Sequence, residues 1–202
     1  MKRCHAAVAA LFVAALSVTV LSLSGCSSGL LADSDAGWIT LFDGTNLDDF
    51  TRLGDANWRL ADGAVQADKG DGYLVSKQSY RDFEIRAEFW VSDDANTGIF
   101  LRMSDRNEVT PDNSYEVNVF DQRPDPTYGT GAIVGVAKAS TVLKAGGRWN
   151  TYEITARGPQ LIAVLNGVRT AEARDARHTS GPIALQYGAG VVKFRKLQVR
   201  PL

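Results

Sequence analysis

The amino-acid sequence predicts an all-β fold, in which two antiparallel sheets pack as a sandwich of the jelly-roll type. First, apolar and charged residues alternate along Phe83–Val91, as they do in a strand with one buried face. Second, Gly, Asp, Asn and Pro separate many short segments of this kind from residue 37 onward. Third, no window shows a convincing helical stripe, except for a turn near Ser79–Arg81. A closed barrel is the alternative architecture for so many strands.

Thirteen segments have the composition of strands. In chain order they are Trp38–Phe42, Trp58–Leu60, Ala64–Ala67, Tyr73–Ser76, Phe83–Val91, Gly98–Met103, Tyr115–Phe120, Ile133–Val136, Trp149–Arg157, Gln160–Leu165, Val168–Ala173, Ile183–Gln186 and Val191–Val199. Two of the connections have the chemistry of tight hairpin turns, Asp62-Gly63 and Asn166-Gly167, because these residues readily adopt positive dihedral angles.

The last segment contains an irregularity in its alternation. Val192 and Phe194 share one parity, whereas Leu197 and Val199 share the other. A β-bulge between the two pairs would return all four side chains to the core. We therefore predict a bulge near residues 195 and 196.

The amino terminus has the features of an export signal. A basic start at Lys2 and Arg3 precedes the apolar run Ala6–Leu21, and Leu23-Ser24-Gly25-Cys26 resembles the lipobox of bacterial lipoproteins. The sequence thus predicts a signal peptide over residues 1–25, lipidation of Cys26 and a tether over residues 26–36. An ordinary secretory signal is the alternative. The predicted location is the bacterial cell envelope, facing the periplasm or the cell surface, with membrane attachment through the lipid anchor only.

The remaining 177 of the 202 residues are long enough for one core, and we predict a single domain over residues 37–202. Loss of Lys2 and Arg3 changes the net charge from −1 to −3, which argues against a nucleic-acid partner. Cys4 would leave with the signal and Cys26 would carry lipid, so neither disulfide nor thiolate chemistry is expected in the domain.

Polar residues recur on one side of three neighbouring strand segments. They are Glu88 in the first segment, Arg102 in the second, and Glu116 and Asn118 in the third. If the three strands lie side by side, these groups can gather on one sheet face. Carboxylates, a guanidinium and an amide on one face suggest a sugar site.

Nine motifs follow one another along the predicted domain: Gly37–Leu47, Trp58–Val65, Asp82–Ile85, Asn96–Arg102, Tyr115–Asp121, Thr130–Ile133, Trp149–Glu153, Leu165–Val168 and Gly181–Gln186. Their types and order, together with the closing segment Val192–Leu202, resemble the bacterial 3-keto-disaccharide hydrolase family. The resemblance covers essentially all of residues 37–202. It implies a concanavalin-like sandwich that acts on glycosides whose sugar is oxidised at carbon 3.

The chemistry implied by this resemblance assigns roles to the polar residues. A keto group at carbon 3 acidifies the C–H bond at carbon 2, so a base can remove that proton, expel the anomeric substituent and let water add afterwards. Glu116 is the candidate base, Glu88 the second candidate, and Arg102 the candidate stabiliser of the negative oxygen. The candidate substrate-binding residues are Asn96, Asn118, Asp121, Gln186 and Trp90.

Two departures from the family pattern support other functions. Gln186-Tyr187-Gly188-Ala189 stands where relatives commonly have an acid and an imidazole, which suggests a non-catalytic carbohydrate-binding lipoprotein as the alternative. Glu116, Asn118 and Asp121 also echo the E-x-D-x-x-E strand of laminarinase-like glycosidases, although Asn118 replaces the middle carboxylate.

Purely structural interpretations are open for the same residues. Glu88 and Arg102 can form an exposed cross-strand pair, and Glu116 with Asn118 can lie on a solvated strand face. Asp121 can cap the loop Gln122–Pro126 instead of binding substrate.

The sequence predicts a carbohydrate ligand and no cofactor. A divalent metal is not excluded, although no ligand spacing indicates one. His178 is expected to be structural, because a metal site would need a second imidazole. Core burial is expected for Trp58 and Trp149. The oligomeric state and the preferred aglycone are left open.

Overall fold

The structure is a computed structural model that describes residues 36–202, and strands make up nearly all of its regular structure. The strands are β1 Ile39–Phe42, β2 Phe50–Gly54, β3 Arg59–Ala61, β4 Ala64–Ala67, β5 Gly72–Ser76, β6 Phe83–Val91, β7 Thr97–Leu101, β8 Tyr115–Val119, β9 Trp149–Arg157, β10 Gln160–Leu165, β11 Val168–Arg174, β12 Ala184–Tyr187 and β13 Val192–Pro201. One 3₁₀ turn covers Pro126–Tyr128. No helix forms near the predicted turn at residues 79–81, where Tyr80 instead bridges to Gly181.

The strands form two antiparallel sheets, as the alternation predicts. The eight-stranded sheet has the order β11-β10-β9-β6-β13-β4-β3, with β1 also paired to β13. The five-stranded sheet has the order β2-β5-β12-β7-β8. Inward-facing residues of both sheets share one apolar core, so the fold is a jelly-roll sandwich and the closed barrel is excluded.

Strand β6 shows how the pattern produces the core. Its odd-numbered residues, from Phe83 to Val91, are buried, while the even-numbered residues between them are half-buried on the outer face. Strand β13 pairs with β6 along its whole length and contains the predicted bulge, because the register shifts between Phe194 and Lys196. All four apolar residues around the bulge are buried in the core, which confirms the prediction.

Two strand assignments differ from the prediction. Strand β2 was not expected, because only Phe50 is buried in it and its pattern shows no clear alternation. The predicted strand Ile133–Val136 is wrong: Ile133 makes only isolated bridges, to Val117 and to Ala137. The positive φ angles of Gly131 and Gly135, 93° and 69°, turn the backbone on either side of Ile133.

The predicted signal peptide, the lipidation site Cys26 and all but the last residue of the tether lie outside the described residues. Within residues 36–202, no helix has the length and apolar character needed to cross a membrane.

Candidate active site

The two candidate carboxylates lie on different sheets. Glu88 belongs to β6 of the eight-stranded sheet, whereas Glu116 belongs to β8 of the five-stranded sheet. Strands β6 and β7 are consecutive in the chain, but the connection at residues 92–96 crosses from one sheet to the other. The expectation that Glu88, Arg102, Glu116 and Asn118 share one face is therefore wrong.

Arg102 is a structural residue rather than a stabiliser of developing charge. It follows β7 with a φ of 53°, which ends the strand alternation, and its side chain is 1% exposed. The guanidinium donates to the carbonyl oxygens of Arg81 (2.7 Å), Gly158 (2.7 Å) and His178 (3.2 Å) and to Asp82 Oδ1 (2.9 Å). These four acceptors join distant loops and leave little of the guanidinium for a substrate. The catalytic role predicted for Arg102 is thus not supported.

Glu88 is also occupied. Arg195 Nε donates to Glu88 Oε2 at 2.5 Å, and both side chains are partly exposed on the outer face of the eight-stranded sheet. Glu88 thus forms a cross-strand ion pair, as the structural interpretation proposed, but its partner is Arg195 instead of Arg102. Glu88 and Glu116 therefore cannot act together in one site, because Glu116 lies on the other sheet.

The tryptophans divide between the core and this same outer face. Trp90 lies on β6 of the eight-stranded sheet, so it cannot stack on a sugar held at Glu116 on the other sheet. Lys193 Nζ lies 5.1 Å from the centroid of the Trp90 ring. Trp58 is buried in the core, as predicted. Trp149 is 38% exposed and carries the guanidinium of Arg195 over its ring at 4.2 Å, so the prediction of its burial was wrong.

The outer face of the five-stranded sheet holds a different set of groups around Gly98. Strand register places Gly98 opposite Asn118 and Phe100 opposite Glu116, between β7 and β8. Strand β12 lies on the other side of β7, with Ala184 opposite Phe100. Continuing that register, Gln186 of β12 is next to Gly98, and Tyr73 of β5 is opposite Gln186. We call Tyr73, Gln186, Gly98, Glu116 and Asn118 the Gly98 site.

Glu116 is the ionisable group of this site. Its residue is only 8% exposed, and its side chain leans over Gly98: a Cβ atom at Gly98 would lie 2.9 Å from Glu116 Oε1. Burial raises the pKa of Glu116 from 4.5 to about 7, while the charge of Arg123 opposes this shift. No residue of the described part donates a hydrogen bond to the carboxylate. Glu116 is therefore a buried, unpaired acid that titrates near neutral pH.

The amides beside Glu116 have buried oxygen atoms without partners. Asn118 Nδ2 donates to the carbonyl oxygen of Tyr128 at 2.8 Å, and Gln186 Nε2 donates to Tyr73 Oη at 3.4 Å. In the described part of the chain, Asn118 Oδ1 and Gln186 Oε1 have no hydrogen-bond donor. Buried polar atoms are normally paired, so these two acceptors are unsatisfied in the protein alone, and a ligand would pair them only after a side-chain movement brings a donor to them. The sequence prediction grouped Asn118 with Glu116 correctly, and the strand register adds Gln186, which was predicted only as a binding residue, to the same face.

Asn96 lies at the edge of this face, next to the end of β12. Its backbone nitrogen donates to the carbonyl oxygen of Ala189 at 3.2 Å, and its carbonyl oxygen accepts from Gly188 at 3.0 Å. Asn96 is half-buried and has the same strand parity as Gly98. It therefore remains a candidate binding residue at the rim of the Gly98 site.

Asp121 holds a loop instead of a ligand. Its carboxylate accepts from the backbone nitrogens of Ala145 and Gly146 at 2.9 Å and from Thr130 Oγ1 at 2.5 Å. Its partners are not in Gln122–Pro126, so the capping interpretation also named the wrong loop. Because these donors occupy the carboxylate, neither a binding role nor a role as the second acid of a laminarinase-like pair is supported.

Sequence reasoning missed three residues of this region. Tyr73 is in a predicted strand, but its neighbour Gln186 is more than a hundred residues away, so no local pattern could pair them. Arg123 follows β8 and was treated as part of a loop. Gly98 did carry a signal, because a glycine inside a strand often marks the close approach of another group.

Three other features of the described residues do not form a better site. Residues 36–202 contain no group of three or more His, Cys, Asp or Glu side chains arranged to hold a metal ion. The ring of His178 packs edge-on against that of Tyr115, with the two centroids 4.8 Å apart. Burial lowers the pKa of His178. A cavity of about 220 Å³ lies at Trp38 on the outer face of the eight-stranded sheet, but Glu84 in its lining is already paired with Arg200. We therefore place the candidate site at Gly98.

The fold and this site define a jelly-roll sandwich of the kind found in glycosidases and lectins, with a buried acid on the outer face of one sheet. The family model described as a 3-keto-alpha-glucoside-1,2-lyase-like domain matches residues 37–200, so the chain belongs to that family. The resemblance seen in the sequence motifs is thereby confirmed. A comparison with curated proteins finds no match.

Solved structures show the same fold. A protein from Parabacteroides distasonis described as a "putative glycosyl hydrolase" is 26% identical, with a TM-score of 0.68 over 82% of this chain and 99% of that chain. The carbohydrate-binding module CBM66 from Bacillus subtilis is 16% identical, with a TM-score of 0.59 over 81% and 95% of the two chains. The β-glucanase from Bacillus licheniformis is 10% identical, with a TM-score of 0.60 over 82% and 99%. The last two comparisons show the fold alone.

Proposed function

We propose that the chain is a carbohydrate-active enzyme that cleaves the glycosidic bond of 3-keto-glycosides, including 3-keto-disaccharides, with Glu116 as the base. Membership of the 3-keto-alpha-glucoside-1,2-lyase-like family supports the substrate class. The similarity to the Parabacteroides distasonis protein supports the broader assignment to glycosyl hydrolases. The observation that carries the proposal is the buried, unpaired carboxyl of Glu116, with its pKa of about 7.

The reaction needs a base whose strength matches its working pH. Carbon 2 of a 3-keto sugar carries an acidic proton, and a carboxylate with an ordinary pKa is a weak base toward it. The raised pKa makes Glu116 a stronger base that is still about half ionised near pH 7. When Glu116 takes the proton, the electrons of the C–H bond form the C1–C2 double bond and the C1–O bond breaks. Water adds to the double bond afterwards.

Other groups of the region complete the site. As the C–H bond breaks, negative charge develops on the oxygen at carbon 3, and a nearby cation stabilises it. We assign this role to Arg123 in place of Arg102, because Arg123 follows the strand of Glu116 by four residues and its charge lowers the pKa of Glu116. The unpartnered oxygens of Asn118 and Gln186 accept hydrogen bonds from sugar hydroxyls.

The direct test compares an oxidised sugar with its parent. Purified protein is incubated with a 3-keto-disaccharide and, separately, with the unoxidised disaccharide, and release of the aglycone sugar is measured by chromatography. We expect release from the oxidised form only. Equal release from both would contradict the proposed reaction and indicate a conventional glycosidase.

A second function is supported by residues 186–189. The segment Gln186-Tyr187-Gly188-Ala189 contains neither an acid nor an imidazole, and Tyr187 points into the core. A carbohydrate-binding protein without turnover would keep the amides of the Gly98 site and would not need such a pair. In the same experiment, binding of the 3-keto-disaccharide by calorimetry without any release would favour this function.

We also propose that the protein is exported and anchored to the bacterial envelope through Cys26. The support is the sequence of the first 26 residues alone. Cells fed radiolabelled palmitate should produce a labelled protein, and the variant Cys26→Ala should not be labelled. Labelling of that variant would refute the anchor.

A further inference from the structure

Tyr73 stands across the Gly98 site from Glu116. It lies on β5, opposite Gln186 of β12, and its half-buried side chain is on the same outer face as Glu116. Tyr73 lies two strands from Gly98 in the sheet, and the side chain of Glu116 leans over Gly98 from the next strand on the other side. The Gly98 site therefore has a phenol on one side and a carboxyl on the other.

The side chain of Tyr73 is fixed by its neighbours. Its ring contacts Phe100 edge-on, with the centroids 5.5 Å apart and the planes at 90°. Ala184, the small residue on the strand between them, leaves room for this contact. Aromatic pairs in this geometry are favourable beyond the area they bury. The hydroxyl of Tyr73 is thus held in a defined place over the sheet.

The hydroxyl of Tyr73 has a hydrogen-bond donor beside it but no acceptor among the described residues. Gln186 Nε2 donates to Tyr73 Oη at 3.4 Å, so the tyrosine oxygen acts as an acceptor in this contact. In the described part of the chain, no residue accepts a hydrogen bond from Tyr73. A donor without an acceptor beside unpartnered amide oxygens is typical of a site that is completed by its ligand.

The electrostatic environment keeps the phenol protonated. Burial is the main cause that raises the pKa of Tyr73, and the charges of Asp71 and Glu116 raise it further, against the hydrogen bond from Gln186. Glu116 and Tyr73 share the outer face of this sheet, with strands β12 and β7 between them. One of them can accept a proton near pH 7 while the other retains its own.

We propose that Tyr73 is a catalytic residue that donates its proton to the departing anomeric oxygen. This role rests on the proposed function and completes its proton balance. Glu116 takes the proton from carbon 2, the C–H electrons form the C1–C2 double bond, and the C1–O pair leaves with the oxygen. Tyr73 supplies the proton that makes this oxygen a neutral hydroxyl.

The site then returns to its starting state without another reagent. After the step, Glu116 is protonated and Tyr73 is a phenolate. Because a phenolate is the stronger base, the proton moves from Glu116 to Tyr73, directly or through water. Of the other donors, Gln186 and Asn118 are neutral amides that do not give up protons, and the guanidinium of Arg123 is too weak an acid to supply one.

The test compares two leaving groups in the variant Tyr73→Phe. A sugar alkoxide needs a proton to leave, whereas nitrophenolate leaves without one. We expect kcat on a 3-keto-disaccharide to fall by about 10²-fold or more, and kcat on a nitrophenyl 3-keto-glucoside to change by only a few-fold. Exchange of the carbon 2 proton with D₂O, followed by NMR, should persist because Glu116 is intact.

Tyr187→Phe is the matched control, since Tyr187 lies on the core side of β12 and donates to Gly190. Both substrates should react normally with it. Equal slowing of both substrates in Tyr73→Phe, or loss of proton exchange, would overturn the role of Tyr73 while the proposed function stands. Wild-type protein that releases neither aglycone would overturn both. A steep dependence of the wild-type rate on the basicity of the leaving group would also refute the role, whether or not the variant folds.

Discussion

The outer faces of the two sheets share the same alternation of residues along their strands, but their carboxyl groups differ in burial and in pairing. On the eight-stranded sheet, Glu84 pairs with Arg200 and Glu88 pairs with Arg195, and all four side chains are partly exposed. On the five-stranded sheet, the carboxyl of Glu116 is buried without an ion-pair partner. Surface pairs of the first kind each contribute about 0–1 kcal/mol, so they are compatible with a solvated structural face.

The difference supports the outer face of the five-stranded sheet as the place of the proposed chemistry. A buried, unpaired carboxyl destabilises the fold when it ionises, so its presence requires a reason other than stability. Cross-strand pairs need no such reason, because they satisfy charges that the strand pattern places on the surface. The contrast between an acid that costs stability on one face and paired acids on the other favours Glu116 over Glu88 as the base of the proposed reaction.

The largest expected effect is on activity, and the two glutamates provide a matched pair. Glu116→Gln should lower kcat/KM on a 3-keto-disaccharide by about 10²–10⁴-fold, because the base is lost. Glu88→Gln should leave kcat/KM within about two-fold, since Glu88 lies on the other sheet. Steady-state kinetics on both variants measure the contrast. Equal losses, or a larger loss for Glu88→Gln, would break the assignment of the two faces.

The second effect is on stability, and its direction follows from the pKa of Glu116. The folded state holds the proton up to about pH 7 and the unfolded state only to about 4.5, so stability falls as the pH rises between these values. The loss is complete above about pH 7 and amounts to at most about 3 kcal/mol. Glu116→Gln removes this loss. The free energy of unfolding of the variant relative to wild type should therefore rise by up to this amount from pH 4.5 to pH 8.

Urea unfolding at the two pH values measures this gain. The reference in each measurement is wild-type protein under the same buffer and urea conditions. If the difference between wild type and Glu116→Gln were the same at pH 4.5 and pH 8, the carboxyl would not be buried as the structure shows it.

The sequence was sufficient for the faces of strands but not for the sheet to which a strand belongs. Parity along β6 and the bulge in β13 could be predicted because both depend on residues close in the chain. Glu88 and Glu116 were grouped wrongly, because alternation does not report that the chain changes sheet after β6. Arg102 was misplaced for a local reason: its positive φ ends the alternation one residue after β7.

The site was predicted in part for the same reason. Glu116 and Asn118 share a strand, so parity alone placed them together on one face. Their neighbours Gln186 and Tyr73 come from strands far apart in sequence, and only the strand order brings them beside Gly98. The burial of Glu116, on which its pKa depends, is likewise a tertiary property that its own segment does not encode.

The smallest expected effect concerns Gly98, which sets the position of Glu116. A Cβ atom at this position would lie 2.9 Å from Glu116 Oε1 and 3.0 Å from its Cγ, so the carboxylate must move in Gly98→Ala. We expect kcat/KM to fall by about ten-fold, because small displacements of a base are costly. If the carboxylate moves toward water, its pKa falls, and the pH profile should shift to lower pH.

The double variant Gly98→Ala/Glu116→Gln is the control. Its loss of kcat/KM should equal that of Glu116→Gln alone, since both changes act through one side chain. Additive losses would mean that Gly98 contacts the substrate directly and does not act by positioning the base.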